Sequence, residues 1–226
     1  MKKTIVILFL LLCSTISIAH MGHYNKYDKI EMEIFRNGEL IGYSYYFFTR
    51  NGEETIVTNQ TKFSVKLLGA TIFQVEGYGE EKYLKDQLIS YKSKTLQNNK
   101  VKFVKLFFDK DKNEFNIKGS SYSGVATIDN VIGNWWSHKI LQSDSQISSI
   151  SGSIKKQVVT FIGRKKIEQY GQAYEVDHFK LESKNMSLSE DKRLNFDIWF
   201  DKKISMIRRV SYSRMGNWEY RLKSFE

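Results

Sequence analysis

Proline is absent from all 226 residues, and cysteine occurs once, at Cys13. Without proline there is no proline-rich hinge, and no Gly/Ser-rich linker, low-complexity tract or fixed-period repeat divides the chain. One cysteine cannot close an intrachain disulfide, so stability has to come from packing and the backbone ladder. Long apolar runs are missing too. The longest, Ile5 to Leu12, falls well short of the about 20 residues that a membrane-spanning helix needs. Histidine is limited to four positions, which leaves little material for imidazole-based catalysis or metal binding.

What is present begins with an export signal. Met1-Lys2-Lys3 supplies a positive start, Ile5 to Leu12 an apolar block, and Ser17-Ile18-Ala19 the small residues of a cleavage site. Residues 1–19 are read as a signal peptide cut after Ala19, leaving His20 first. A lipoprotein signal is the competing reading, because Leu10-Leu11-Leu12 precedes Cys13. The residue before a lipidated cysteine is small, and Leu12 is not, so Cys13 is read as filler of the apolar block. The mature chain then lacks cysteine altogether, which excludes thiolate nucleophiles and thiolate metal sites. It is expected to be periplasmic or secreted, with no integral membrane span after cleavage.

Charge is the next feature: 35 Lys and Arg stand against 25 Asp and Glu, a formal +10, of which Lys2 and Lys3 leave with the signal. Such a balance invites a nucleic-acid reading. Export argues against it, and the basic residues are scattered in pairs such as Lys155-Lys156 and Lys202-Lys203, with Arg164-Lys165-Lys166 the one run. Most of these charges decorate solvent-facing strand positions. The functional alternative is attraction to an anionic envelope surface.

Period-2 alternation dominates the remainder. Ile30, Met32 and Ile34 alternate with charged residues, Asn37-Gly38 marks a tight hairpin, and Ile41, Tyr43, Tyr45 and Phe47 share the next strand's face. Further strands are expected at about 55–66, 70–78, 87–96, 101–108, 115–117, 122–128, 147–153, 156–163, 172–183, 194–200 and 204–212, with a last one through Trp218, Tyr220 and Leu222. Val101 to Phe108 is apolar on both faces, which predicts cover on both sides. The exception is 129–142, where Val131, Ile132, Trp135, Trp136 and Leu141 break the alternation and predict a short helix or ordered loop plugging a curved sheet. The expectation is one all-β domain over 20–226, an antiparallel meander.

No catalytic constellation emerges. Gly119-Ser120-Ser121-Tyr122-Ser123-Gly124 lacks the glycine and strand–turn–helix setting of a nucleophile elbow. Asp177-His178 and Glu80-Glu81 are strand neighbours whose side chains point to opposite faces. Gly77-Tyr78-Gly79 lacks the remaining glycine and the helix of a phosphate loop. His20 and His23 near a free amine would hold Cu(II) or Ni(II) only adventitiously, because termini are seldom ordered. No metal or cofactor is implied, and a hydrolase-type enzyme stays a minor alternative. Aromatics are the unusual feature, with 15 Phe, 13 Tyr and 4 Trp. Besides sheet packing, they predict a ligand site in which Trp135, Trp136, Tyr43, Tyr45 and Trp218 line an apolar cavity, with His138 as a polar handle at its mouth.

Several short motifs together resemble an uncharacterised family of exported bacterial proteins, catalogued as a domain of unknown function. They are Asn37-Gly38-Glu39-Leu40-Ile41-Gly42; Glu81 followed by Leu88-Ile89-Ser90 and Thr95; Asn134-Trp135-Trp136 before Ile140-Leu141; and Trp199-Phe200-Asp201 leading through Ile207-Arg208-Arg209 to Tyr220-Arg221-Leu222. The resemblance implies a strongly curved antiparallel sheet, a half-open barrel similar to those that carry lipids or lipoproteins across the periplasm. It brings no catalytic residues. The combined expectation is an exported, non-enzymatic protein that binds a lipid or other hydrophobic or amphipathic ligand; the alternative is a module that docks on envelope proteins or surfaces. Protein recovered from the exported fraction is expected to begin at His20, which N-terminal sequencing checks.

Overall fold

The structure, a computed structural model, describes residues 20–226; the signal peptide expected over residues 1–19 lies outside them. The described chain is built from fifteen strands and three short 3₁₀ turns. One arm comprises β1 (Lys29–Arg36), β2 (Glu39–Asn51), β3 (Glu54–Leu67), β4 (Ala70–Leu84), β5 (Gln87–Gln97), β6 (Lys100–Asp109), β7 (Glu114–Gly119) and β8 (Ser123–Thr127). The other comprises β9 (Val131–Gly133), β10 (Ser145–Ser148), β11 (Ile154–Gln169), β12 (Gln172–Ser183), β13 (Asn195–Asp201), β14 (Met206–Ser213) and β15 (Asn217–Phe225).

All fifteen form one sheet in the order β8-β7-β6-β5-β4-β3-β2-β1-β15-β14-β13-β12-β11-β10-β9. Every pairing is antiparallel except that of β9 with β10. The chain thus runs outward from the centre to one edge, crosses to the other edge and returns, so that β1 and β15 pair in the middle. The edge strands β8 and β9 are separated by only residues 128–130 in sequence, yet they are the two extremes of the sheet. The four backbone steps from Thr127 to Val131 reach about 14 Å at most, so the sheet must curl until its edges come close. It does not close, because β8 and β9 are not hydrogen-bonded to each other.

Local chemistry explains the hairpins. Asn37-Gly38, Leu68-Gly69 and Tyr170-Gly171 each place two successive residues at positive φ, as a two-residue turn matched to the right-handed twist of strands requires. Alternation then sets the faces. Ile30, Met32 and Ile34 of β1 are almost fully buried, while Ser44, Tyr46 and Phe48 of β2 point inward. The expectation that β6 is covered on both faces does not hold: Val104 and Leu106 are buried, but Val101 and Phe107 are more than half exposed. Curling covers the concave side there and leaves the outer face of β6 in solvent; on the other arm the β11–β12 tip covers part of the outer face, where Tyr170 bonds Glu33.

Both ends of the cup follow from the meander. One end carries the turns after β2, β4, β6, β11 and β13, together with the 3₁₀ turn His20–Tyr24. Here Tyr24, Tyr27, Phe48, Tyr83 and Trp136 are buried in one cluster and close the base. The opposite end carries the turns after β1, β3, β5, β12 and β14 and is open. Residues 128–153 occupy the interior: the expected non-strand segment, 129–142, carries β9 and the 3₁₀ turn His138–Leu141, and the strand expected at about 147–153 is instead β10, which ends at Ser148 in a tight turn held by the hydroxyl of Ser148. Gln157 of β11 holds this segment from one side through Gln146 (2.6 Å), the Ile140 carbonyl (2.9 Å) and the Ser143 carbonyl (2.8 Å). From the other side Tyr91 and Ser93 of β5 donate to the Ser149 carbonyl at 2.8 and 2.7 Å.

Backbone packing is tightest at Gly42, where a Cβ would meet the Lys62 carbonyl at 2.1 Å and Phe63 Cβ at 2.4 Å. Gly42→Ala is therefore expected to destabilise the fold by about 1–3 kcal/mol, because backbone on a central pair cannot retreat without breaking ladder bonds. Urea unfolding monitored by tryptophan fluorescence measures the loss.

Candidate binding cavity

The plug does not fill the cup. A cavity of about 570 Å³ remains between the inner faces of β2–β5, the plug and β14–β15. Its deep end is polar, formed by Ser44, Asn59, Thr61, Glu81, Tyr91, Ser93 and Asn134; above it Phe63, Val65, Phe73, Val75, Tyr212 and Trp218 give apolar walls, and Arg36, Gln97 and Arg214 line the mouth. Two glycines create the space. Phe73, Val75, Gly77, Gly79, Glu81 and Tyr83 are successive inward positions of β4, and Gly77 and Gly79 present only backbone there. A second cavity of about 410 Å³, on the far side of Trp135 and Ile150, shares those walls with the first and is bounded by β12, β13, β14 and the β12–β13 loop.

Glu81 is the chemical centre of the floor. Its Oε1 accepts hydrogen bonds from Asn134 Nδ2 (2.7 Å) and Trp136 Nε1 (2.9 Å), and its Oε2 accepts from the Tyr83 hydroxyl (2.6 Å). Burial pushes this carboxyl up to about 7, with the three donors and Lys139 pulling the other way. Glu80, its neighbour, faces outward and pairs with Lys92 at 2.8 Å. The opposite-face reading of Glu80-Glu81 thus describes the strand, but it passes over the inward carboxylate. The signal that would have found Glu81 is its place on one inward face with Gly77, Gly79 and Tyr83.

The aromatic set expected to line the cavity is divided by the structure. Trp135 and Trp218 are on the wall. Trp136 is below the floor, 1% exposed, with its ring edge-on to Tyr24, Phe48 and Tyr83. Tyr43 and Tyr45 lie on the outer face of β2, stacked on each other and on Phe47, because the inward phase of that strand belongs to Ser44, Tyr46 and Phe48. His138 is at the closed base instead of the mouth: its Nδ1 lies 2.8 Å from the Tyr24 hydroxyl, and its ring packs against Phe200 and His23. Burial, with His23 beside it, lowers this imidazole to about 4. His178 bonds not to Asp177 but to Asp197 at 2.7 Å and stacks on Trp199. Among the described residues no group of three or more His, Cys, Asp or Glu is arranged to hold a metal ion, and no helix is long and apolar enough to cross a membrane.

With these features in place the family can be assigned. The sequence pattern of the Domain of unknown function (DUF6134) matches residues 32–223. The chain belongs to that family. No curated protein matches it. Among solved structures, the DUF6134 fold is similar to a beta-barrel-like protein of Domain of Unknown Function DUF1849 from Brucella abortus, with a TM-score of 0.58 at 7% identity over 88% of this chain and 95% of that one. At that identity the likeness is one of fold.

The two buried titratable groups predict opposed pH dependences. A carboxyl raised from 4.5 to about 7 stabilises the fold when protonated, so its contribution is lost as pH rises from about 4.5 through 7, a total of about 3 kcal/mol. An imidazole lowered from 6.5 to about 4 acts the other way, and its contribution is lost as pH falls through that window. The slopes offset each other between about pH 4.5 and 6.5. Glu81→Gln, whose amide can accept from Asn134 and Trp136 and donate to the Tyr83 oxygen, removes one of them. Its stability is expected to rise with pH over that window while the wild type stays comparatively flat, as urea midpoints at a series of pH values would report.

Proposed function

We propose that the chain is an exported envelope protein, periplasmic or secreted, that holds a hydrophobic or amphipathic ligand in the cup. The observation that carries this reading is the graded cavity: apolar walls below a mouth edged by Arg36, Gln97 and Arg214, a hydrogen-bonding floor, and room left by two inward glycines where a strand would ordinarily place side chains. Pockets of this size with apolar walls and a few convergent polar groups suit small molecules with one polar end. The apolar body of such a ligand would lie against Phe63, Phe73 and Trp218. Its polar end would reach Ser44, Asn59 and Thr61, which already bond among themselves. A polar end carrying hydroxyl or amine donors fits beside Glu81 better than an anion does, because an ionised Glu81 would repel negative charge.

A hydrolase-type reaction with Glu81 as base is the second reading, favoured by a carboxyl near neutrality at a cavity floor. Both of its oxygens, however, already accept bonds from Asn134, Trp136 and Tyr83, which suits an anchor for the plug more than a proton acceptor for a substrate.

Filling the space tests the binding reading. Gly79→Leu projects a side chain into the cavity beside Tyr91, whose hydroxyl would lie 3.2 Å from the new Cβ. It is expected to weaken binding of a hydrophobic fluorescent probe at least about tenfold, the equivalent of roughly 1.4 kcal/mol, while leaving a cooperative unfolding transition. Mass spectrometry of organic extracts from wild type and variant identifies the natural occupant. Equal probe binding by a folded Gly79→Leu protein would remove the cavity as the site.

A further inference from the structure

Two of the turns at the open end of the cup carry apolar tips, unlike the polar Asn37-Gly38 and Asn98-Asn99 turns beside them. Leu68 is fully exposed and Met215 89% exposed at the tips of the β3–β4 and β14–β15 turns, flanked by Leu67 (60%) and Ile72 (51%), with Met186 (59%) on the β12–β13 loop. Topology puts these turns at the same end, and Ile72 and Met215 both border the cavity mouth. Four of the five turns at the closed end are built differently: residues 52–53, 85–86, 110–113 and 202–203 are Gly, Lys, Asp, Glu and Asn, and Tyr170-Gly171 is the exception.

Leu68 and Met215 are unfavourable twice over. Both hold positive φ, 50° in each case, a conformation that the other turns give mainly to Asn or Gly. Both also leave a large apolar side chain in solvent. Tyr170, another bulky residue at positive φ, has an internal reason, since its hydroxyl donates to Glu33 and its ring lies under Lys223 Nζ. The surroundings of the open end are basic. Lys66, Lys100, Lys184, Lys192 and Arg214 are exposed there, against Glu39, Glu190 and Asp191.

Exposed apolar tips on separate turns, set among exposed lysines and arginine, match the interfacial layer of an anionic bilayer better than a folded protein partner. We propose that the open end of the cup docks on an anionic phospholipid surface, with Leu67, Leu68 and Met215 entering the interfacial layer and the flanking Lys and Arg residues meeting lipid phosphates. The cavity mouth would then face the membrane. This docking does not depend on what fills the cavity, and Gly79→Leu protein, blocked for ligand, is expected to dock normally.

The test is co-sedimentation of the full chain with vesicles of phosphatidylcholine mixed with phosphatidylglycerol. The comparison is with a Leu68→Asn, Met215→Asn double variant, in which asparagine suits the left-handed backbone, so the melting temperature should stay the same or rise. Wild type is expected to bind the mixed vesicles in a salt-sensitive way, and the double variant to bind at least about tenfold more weakly. All variants share one N-terminus, so any vesicle binding contributed by the leader is common to them and cancels. Full binding by the double variant would overturn the proposal. No vesicle binding by wild type would overturn it as well and would leave these tips to a protein partner.

Discussion

The hydrogen bonds that Glu81 accepts from Asn134 and Trp136 join the two halves of the molecule. The plug crosses the interior of a sheet that is open along one seam, and an apolar segment alone could slide there. A buried carboxylate with three directed donors fixes its position, since the loss of any one partner would leave charge or a polar N–H uncompensated in a low-dielectric interior. Gln157 and the Ser149 carbonyl repeat the arrangement on either side. With the plug held, Trp136 can seal the base while its neighbour Trp135 turns the other way to become cavity wall.

The same strand that supplies Glu81 opens the cavity. On β4 the inward series passes from Phe73 and Val75 through two glycines to Glu81 and Tyr83, so apolar surface, empty space and polar floor follow one another along a single strand. Glycine in a strand interior weakens it, which makes two in alternate positions costly unless the space they leave is used. That cost is the physical argument for a cavity that belongs to the design of the fold.

Much of the architecture was legible in the sequence because antiparallel strands write their period directly. The alternation at Ile30, Met32 and Ile34 and the Asn37-Gly38 turn carried their hairpin, and the broken rhythm at 129–142 marked the plug. The cavity was less legible. Tyr43 and Tyr45 alternate as regularly as Ser44 and Tyr46, and period alone cannot say which phase faces inward when both carry aromatics. Trp135 and Trp136 are adjacent on non-strand backbone, where no period applies. Glu81 and Asn134-Trp135-Trp136 both stand among the motifs of the family resemblance, but their pairing is not legible, because they lie more than fifty residues apart and are joined only by the curl of the sheet.

That curl has a temporal side. Because β1 pairs with β15 at the centre of the sheet, the first strand of the chain waits for the last. On any route that delivers the chain from its N-terminus, the β2–β8 arm can zip by local hairpins while the free side of β1 remains an unsatisfied edge. Contacts of such sequence separation form late and slowly. The exposed edge of β1 is in the meantime the part of the nascent molecule most open to a strand from elsewhere, a chaperone's or another copy's.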